Sequence, residues 1–419
     1  MPLKKRRKNF TLSSMNFEIL SLFPEMFDGF LKNSIVGRAQ KSGKIKIEIT
    51  NFRDFSKLKN RKVDDEIYGG GAGLLLRPEP ISAAIDAAKK KSPDAKVIFL
   101  SPTGRKFDQK MAEKIAAEKR DLILICGRYE GLDARVRETL VDEEIAVGDA
   151  ILTGGEIPAA FFIDAVSRLL DGVVGDQKSV ETESFSRELF RQKEFPQFTR
   201  TEKWRNKSVP KVLKSGNHKK IENWNFENIP DLSPLERKML KMRREHLPQK
   251  SRNLLFRMPK FSDIDFWLKW VNDFEVCEKL ILDPPFSRDD EIEFFEMAIG
   301  DLTQIIVAID DRKTKKPLGI AHLQTFPLNS KAAEFGILIG EKDFWGRGLG
   351  TEITQKMLKI AFSDLKLEKV VARVFVENAA SRKILEKCGF REIGIFKREI
   401  EKSDGFHDCV FFEKLRDEF

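Results

Sequence analysis

Apolar residues recur in three different rhythms along this chain of 419 residues. Over residues 17–23 the run FEILSLF reads as a buried strand, followed by a short helix over 25–31. Similar runs predict strands over 45–49, 96–100, 122–126 and 144–147, and apolar positions three and four apart predict helices over 81–88, 109–117 and 159–170. Strands alternating with helices predict a parallel, layered α/β sheet. Between Asn51 and Leu74 both rhythms stop, and a polar stretch ending in YGGGAG predicts a mobile loop with a glycine hinge.

The second rhythm, over 187–250, is charged and helix-forming, with Trp204 and Trp224 as expected anchors of a small core. HLPQKSRN, residues 246–253, breaks its last helical run and marks the main boundary. Beyond it, strands are predicted over 254–258, 304–310, 317–324, 333–339, 369–375 and 410–413, with helices over 264–271, 290–299, 351–362 and 380–387. This third unit is again α/β, and no internal repeat links it to the first.

Charge divides the chain differently from hydrophobicity. From Ser251 onward there are 27 Lys and Arg against 30 Asp and Glu, whereas the preceding residues hold 48 against 36, so the formal +9 belongs to the first part. Such a surplus attracts phosphates without regard to sequence, which makes the first part the candidate nucleic-acid binder. No apolar run approaches the length that crosses a bilayer. Cys126, Cys277, Cys388 and Cys409 form no CxxC pair, so a disulfide framework and a thiolate zinc site are both disfavoured, no metal is expected, and a reducing cytoplasm fits. The first fourteen residues carry KKRRK but no following apolar stretch, which fits a basic extension and not a signal peptide.

Three segments place glycine or proline where a strand should end: LSPTGR (100–105), CGRYEG (126–131) and VGDAILTGGEIP (147–158). Their convergence at the carboxyl edge of one sheet would let backbone amides hold an adenine and a ribose. At these residues the chain resembles the TrmD-type tRNA (guanine-N(1))-methyltransferases of the SPOUT superfamily. The likeness spans about 15–244 and rests on SLFPEMF, RDF, VDD-x-x-YGGGAG, LSPTGRK, CGRYEG-x-D-x-R, VGDAILTGGE-x-P, IDAVSR and VPKVLKSGNH, in family order. It implies a trefoil-knotted domain over 15–185, a helical tRNA-binding domain over 186–247, and a homodimer with the active site shared between subunits. It also implies S-adenosyl-L-methionine held by Leu100, Ser101 and Pro102, by Gly127, Tyr129 and Glu130, and by Val147, Gly148, Ala150, Leu152, Gly154, Gly155 and Pro158.

Guanine carries a proton on the ring nitrogen to be methylated, so a positioned carboxylate must take it. In the family that group is an aspartate in an acidic segment before Ser-Phe; here the segment is SVETESF and the matching residue is Glu183, with Glu181 as the alternative. Glutamate keeps the acid chemistry and adds a methylene. Arg168 of IDAVSR matches the family's catalytic arginine, placed to stabilise charge on the guanine carbonyl. Glu156 and Glu130 are expected to border donor and base, and Tyr68 and Tyr129 are the only tyrosines. Arg53, Asp64, Asp65, Tyr68 and His218 match positions near the tRNA, whose guanosine 3′ to the anticodon must leave its stack to react.

In the third unit EFGILIGEKDFWGRGLGTEITQKML places a strand, a glycine-rich turn and a helix, a cradle in which N–H groups face an anionic pyrophosphate. With VFVENAASRKILEKCGF downstream it resembles the GNAT N-acetyltransferases, closest to the RimJ/RimL-like branch, over 252–419. The resemblance implies acetyl-CoA held by Arg347, Gly348, Gly350 and Thr351, with Asn378 and Ser381 along the pantetheine and thiol end. Two departures stand out: Trp345 replaces a usual glutamine, and Leu385 occupies the position of a tyrosine that protonates the leaving thiolate. Glu334, on the strand before the loop, is the expected base through a water. The acceptor is a protein N-terminus, a small amine or an antibiotic-like metabolite. The competing expectation is a tRNA-binding protein with a weakened methyltransferase site and a non-catalytic CoA-binding appendage.

Overall fold

The structure, a computed structural model, describes residues 14–175, 180, 182–326 and 331–419. Residues 1–13 of the basic extension and Glu181 lie outside the described residues. The chain divides into two compact units, Met1–Thr182 and Glu183–Phe419.

The strands of the first unit are β1 (Met15–Ser21), β2 (Ile45–Asn51), the short antiparallel pair β3 (Asp64–Glu66) and β4 (Leu74–Leu76), β5 (Lys96–Lys106), β6 (Leu122–Cys126) and β7 (Glu143–Ala146). Five of them form one parallel sheet in the order β2-β1-β6-β5-β7, as the alternation predicts. The run LILIC of β6 is buried throughout because it faces two cores. Leu122 and Leu124 pack with Met111, Ile115, Phe162 and Val166 on one side, and Ile123 and Ile125 with Ile81, Ala84 and Ile85 on the other. Helices Gln109–Glu118 and Glu156–Ser167 therefore cover one face, and helix Pro78–Lys91 the other. A fully apolar strand is what a sheet covered on both faces requires. Each end is fixed locally: Pro78 starts its helix with the ring already at helical φ, and Asp108 accepts from the Met111 N–H at 2.8 Å.

The second unit opens with a hairpin, β8 (Lys203–Trp204) and β9 (Lys207–Ser208), and with helices His218–Glu227 and Pro234–Lys241. It continues as an eight-stranded sheet made of β10 (Gln249–Lys250), β11 (Leu254–Arg257), β12 (Gln304–Asp311), β13 (Pro317–Thr325), β14 (Ala332–Ile339), β15 (Lys369–Phe375), β16 (Arg391–Lys402) and β17 (Gly405–Leu415). The order is β10-β11-β12-β13-β14-β15-β17-β16, antiparallel except between β14 and β15. That one parallel contact pairs only Ala332–Glu334 with Lys369–Val371, after which the two strands part and leave a wedge in the sheet.

The small core of the helical segment differs from the expected one. Trp204 is 63% exposed, with the Arg205 guanidinium over its ring, and Trp224 is half-buried against Phe198. Ile229, Leu240 and Leu302 form the core in their place. Met239 and Met242 join the core of the eight-stranded sheet, and the buried Arg243 donates to the carbonyls of Ile299 (2.6 Å), Asp301 (2.5 Å) and Gln304 (2.6 Å). The helical segment thus folds onto the sheet of its own unit, through residues that precede the sequence boundary at 246–253.

Candidate functional sites

The carboxyl edge of the first sheet is a cavity of about 240 Å³. Every residue assigned from sequence to the methyl donor lines it: Leu100 to Pro102 within β5 (which runs on past the expected strand end to Lys106), Gly127, Tyr129 and Glu130 after β6, and the chosen residues between Val147 and Pro158 after β7. Glycine is required here by close approach. A Cβ on Gly155 would lie 2.6 Å from the Cys126 Cα, and one on Gly104 would lie 2.4 Å from the Ile145 nitrogen. The Gly155 N–H donates to the Gly127 carbonyl at 2.8 Å, which binds the third loop to the second. Arg137, paired with Glu144 at 2.6 Å, completes the wall beside Thr103.

Glu156 does not border this cavity. It is buried at the start of its helix, accepting from the Ser21 hydroxyl at 2.8 Å and lying 2.9 Å from the Arg128 guanidinium, which also sits over the Phe23 ring. Its role is to fasten β1 to the third loop. Glu130 instead packs against Gly73, where a Cβ would lie 2.6 Å from its carboxylate, and its N–H donates to the Leu74 carbonyl at 3.0 Å. The YGGGAG loop is therefore tied to the donor loop at one end. Gly69, Gly70, Gly71 and Gly73 all have positive φ, so no other residue would pass this turn without strain.

The residues assigned to tRNA spread over both units. Arg53 lies in the turn after β2 and Tyr68 is 99% exposed at the loop tip. Asp64 and Asp65 lie on β3, where Lys62 and Arg77 hold Asp65 and keep its carboxyl below the usual range. His218 is exposed at the start of its helix in the second unit. Arg168 caps helix Glu156–Ser167 in the first unit, whereas Glu183 opens the second.

In the second unit two adjoining cavities follow the wedge between β14 and β15. One, of about 440 Å³, is lined by Gly348, Gly350, Thr351, Asn378 and Ser381 among the assigned residues. Gly348 has φ of 79° with open space where a Cβ would stand, as an anion-facing turn needs. Gly350 has a different reason: its Cβ would lie 2.5 Å from the Ile384 Cδ1, so it lets helices Leu349–Lys359 and Ala379–Lys387 approach each other. Arg347 is exposed, its guanidinium 5.1 Å from the Phe344 ring. Asn378 is committed to structure, capping Ser381 N–H at 3.1 Å and donating to the Lys279 carbonyl. The other cavity, of about 430 Å³, is lined by Glu334, Arg373, His322, Gln324 and the apolar Leu385. Glu334 pairs with Arg373 at 3.4 Å. Burial pushes the His322 imidazole down to about 4, so it is neutral at physiological pH.

Residues 15–242 match the family model described as tRNA (Guanine-1)-methyltransferase TrmD. The chain belongs to this family. Residues 253–391 match the model of the Acetyltransferase (GNAT) domain, so an acetyltransferase domain is fused behind the methyltransferase. The tRNA (guanine-N(1)-)-methyltransferase of Carboxydothermus hydrogenoformans is 52% identical over 210 residues, covering 50% of this chain and 81% of that protein. The same enzyme of Listeria welshimeri is 47% identical over 228 residues, covering 52% and 91%. The crystal structure of the tRNA (m1G37) methyltransferase from Aquifex aeolicus aligns with TM-score 0.42 and 38% identity, over 51% of this chain and 88% of that one.

Within the family half, sequence reasoning missed Arg137 of the cavity wall, which lies outside the three segments, and Thr103, which lies inside LSPTGR but was given no role. In the acetyltransferase half it missed His322. The available signal was alternation: Ile320, His322 and Gln324 share one face of β13, and two of the three are polar.

Proposed function

We propose that the protein methylates N(1) of the guanosine 3′ to the anticodon, position 37 of tRNA, and acetylates an amine with a separate domain. The observation that carries the first half is the single cavity lined by all three glycine-rich loops inside the family-matched segment. Its walls fit S-adenosylmethionine: Gly127, Gly148, Gly154 and Gly155 line it, so backbone edges there would approach the donor without intervening side chains. When bound, that donor supplies an electrophilic methyl carbon. Glu183 takes the N(1) proton of guanine, and Arg168 stabilises the negative charge that develops on the carbonyl oxygen. Arg53, Asp64, Asp65, Tyr68 and His218 meet the tRNA. In this reading the edge is threaded as the family's trefoil knot, with the loops after β6 and β7 held together by the Gly155–Gly127 hydrogen bond.

The protein works as a homodimer through its methyltransferase half. Ile151, Ile157 and Phe161 are 83%, 61% and 53% exposed along the third loop and the helix after it, an apolar face that a second copy would cover. Among the described residues no helix is long and apolar enough to cross a membrane, and the reading places the enzyme in the cytoplasm.

In the acetyltransferase half the turn at Gly348 and the N-terminus of helix Leu349–Lys359 hold the acetyl-CoA pyrophosphate, with Arg347 and Thr351 beside it. Acetyl-CoA supplies an activated thioester. Asn378 and Ser381 line its thiol end, and Glu334 faces the acceptor amine. Calorimetric titration of the full chain with each cofactor tests both halves: one site for S-adenosylmethionine and one for acetyl-CoA per chain is expected, and a missing site removes the corresponding half.

A further inference from the structure

The cavity that takes the acceptor has a floor made by one face of the sheet. Ladder register places Gln304 of β12 opposite Gln324 of β13, and Gln324 opposite Glu334 of β14. One step along, Ile306 lies opposite His322 and His322 opposite Gly336. His322 and Glu334 are thus diagonal neighbours on one face, a separation of roughly 7 Å.

Polar side chains of the floor are committed to partners. The Gln304 amide donates to Asp301 at 3.1 Å, the Gln324 amide to the Thr303 hydroxyl at 2.9 Å, and Glu334 is paired with Arg373. The Thr354 hydroxyl donates to the Gly350 carbonyl at 2.8 Å. The His322 imidazole lines the cavity beside them and takes part in none of these contacts. Its place is built for it: a Cβ on Gly336 would lie 2.1 Å from the His322 Cε1, so only glycine there lets the imidazole lie across the strand.

We propose that His322 is the proton acceptor for the amine in acetyl transfer, and that Glu334 draws the ammonium to it. This rests on the acetyltransferase reading above. In the step, the ammonium loses one proton to the imidazole, and the freed nitrogen lone pair forms the C–N bond to the thioester carbonyl. The second N–H proton leaves as the C–S bond breaks and goes to the thiolate, giving the N-acetyl amine and a free thiol. The imidazolium returns its proton to solvent. Burial keeps the imidazole unprotonated at physiological pH, and because the same burial disfavours the imidazolium, the Glu334 carboxylate on the same face has to stabilise that charge as it forms. The same apolar walls lower the pKa of the entering ammonium, so the transfer runs between two desolvated groups. Lys279, Glu334 and Arg373 are the charged groups that share the cavity with the ring.

The test uses full-length protein, acetyl-CoA and two nucleophiles at neutral pH: benzylamine, which enters protonated, and hydroxylamine, which is already neutral. Thiol release is followed for wild type and His322→Asn. The expected result is a loss of about a hundredfold with benzylamine and little change with hydroxylamine. Equal loss with both, or no loss with benzylamine, overturns the proposal. Release by wild type with neither nucleophile, although acetyl-CoA binds, overturns the acetyl-transfer reading and the proposal with it. A second readout needs no turnover. With histidine rings labelled in 13C, four signals arise from His218, His246, His322 and His407, and the one lost in His322→Asn belongs to the cavity. That signal is expected to stay in the neutral form well below neutral pH, and a charged ring at neutral pH overturns the assignment.

Discussion

Gly155 donates its N–H to the carbonyl of Gly127 at 2.8 Å, and its Cα stands so close to the neighbouring strand end that a Cβ would lie 2.6 Å from the Cys126 Cα. Two loops that follow different strands are locked edge to edge, and the donor cavity is the space they enclose. Gly155→Ala forces one of the loops to move. The clash is with backbone, which cannot rotate away, so a cost of about 1–3 kcal/mol is expected, felt both in thermal stability and in S-adenosylmethionine affinity. Calorimetry showing wild-type affinity in a protein of wild-type melting temperature would remove the locking role.

Glu183→Gln preserves size and removes proton acceptance. Methyl transfer is expected to fall by about a hundredfold or more, with S-adenosylmethionine affinity within a few-fold of wild type. Full turnover in this variant, together with its loss in Glu181→Gln, would move the base two residues upstream.

The two glycines of the acetyl-CoA turn are expected to fail in different ways. Gly348→Ala meets open space and suffers mainly from a φ of 79°, so it should weaken acetyl-CoA binding in a folded protein. Gly350→Val pushes Ile384 and should lower stability first. Comparing melting temperatures with titrations separates the two, and identical profiles would contradict the distinction.

Most of the fold was legible because buried runs announce themselves. LILIC of β6 faces two cores, so its apolar pattern has no gap and its ends coincide with those read from sequence. β16 was missed for the opposite reason: REIGIFKREIEK is a sheet-edge strand with mostly exposed positions, and its pattern resembles a polar loop. The donor cavity was legible because its glycines follow strands. The division of labour between Gly348 and Gly350 was not, since it depends on Ile384, over thirty positions downstream. His322 was hidden likewise, because its surroundings are created by Gly336 across a strand pair.

The boundary read near residue 247 also has a consequence. Met239, Met242 and Arg243 are buried in the second unit, and Arg243 satisfies three carbonyls. A fragment of residues 183–419 is expected to unfold cooperatively, while residues 251–419 should be less stable by about 3 kcal/mol or more, since charged hydrogen bonds and buried methionines are lost together. Equal urea midpoints for the two fragments would show that the helical segment contributes nothing to this unit.

Acid should weaken the second unit over a defined window. Burial would raise the Glu341 carboxyl, yet hydrogen bonds from Lys316, Trp270 and Lys269 hold it down to about 2. A folded pKa below the unfolded one means the stabilisation is complete above about pH 4.5 and is lost as pH falls toward 2. Urea midpoints should decline across that window, and Glu341→Gln should flatten the decline; an unchanged slope in the variant would assign the acid loss to other groups.

The central claim is that this fused chain is a working tRNA methyltransferase despite the glutamate at the base position. Full-length protein is incubated with labelled S-adenosylmethionine and an unmodified tRNA transcript bearing guanosine 3′ to the anticodon, and the product nucleosides are separated by mass spectrometry. One 1-methylguanosine at that position per tRNA is expected, with none in a transcript carrying adenosine there. No methylation of the guanosine transcript by folded protein that binds both S-adenosylmethionine and tRNA would contradict it.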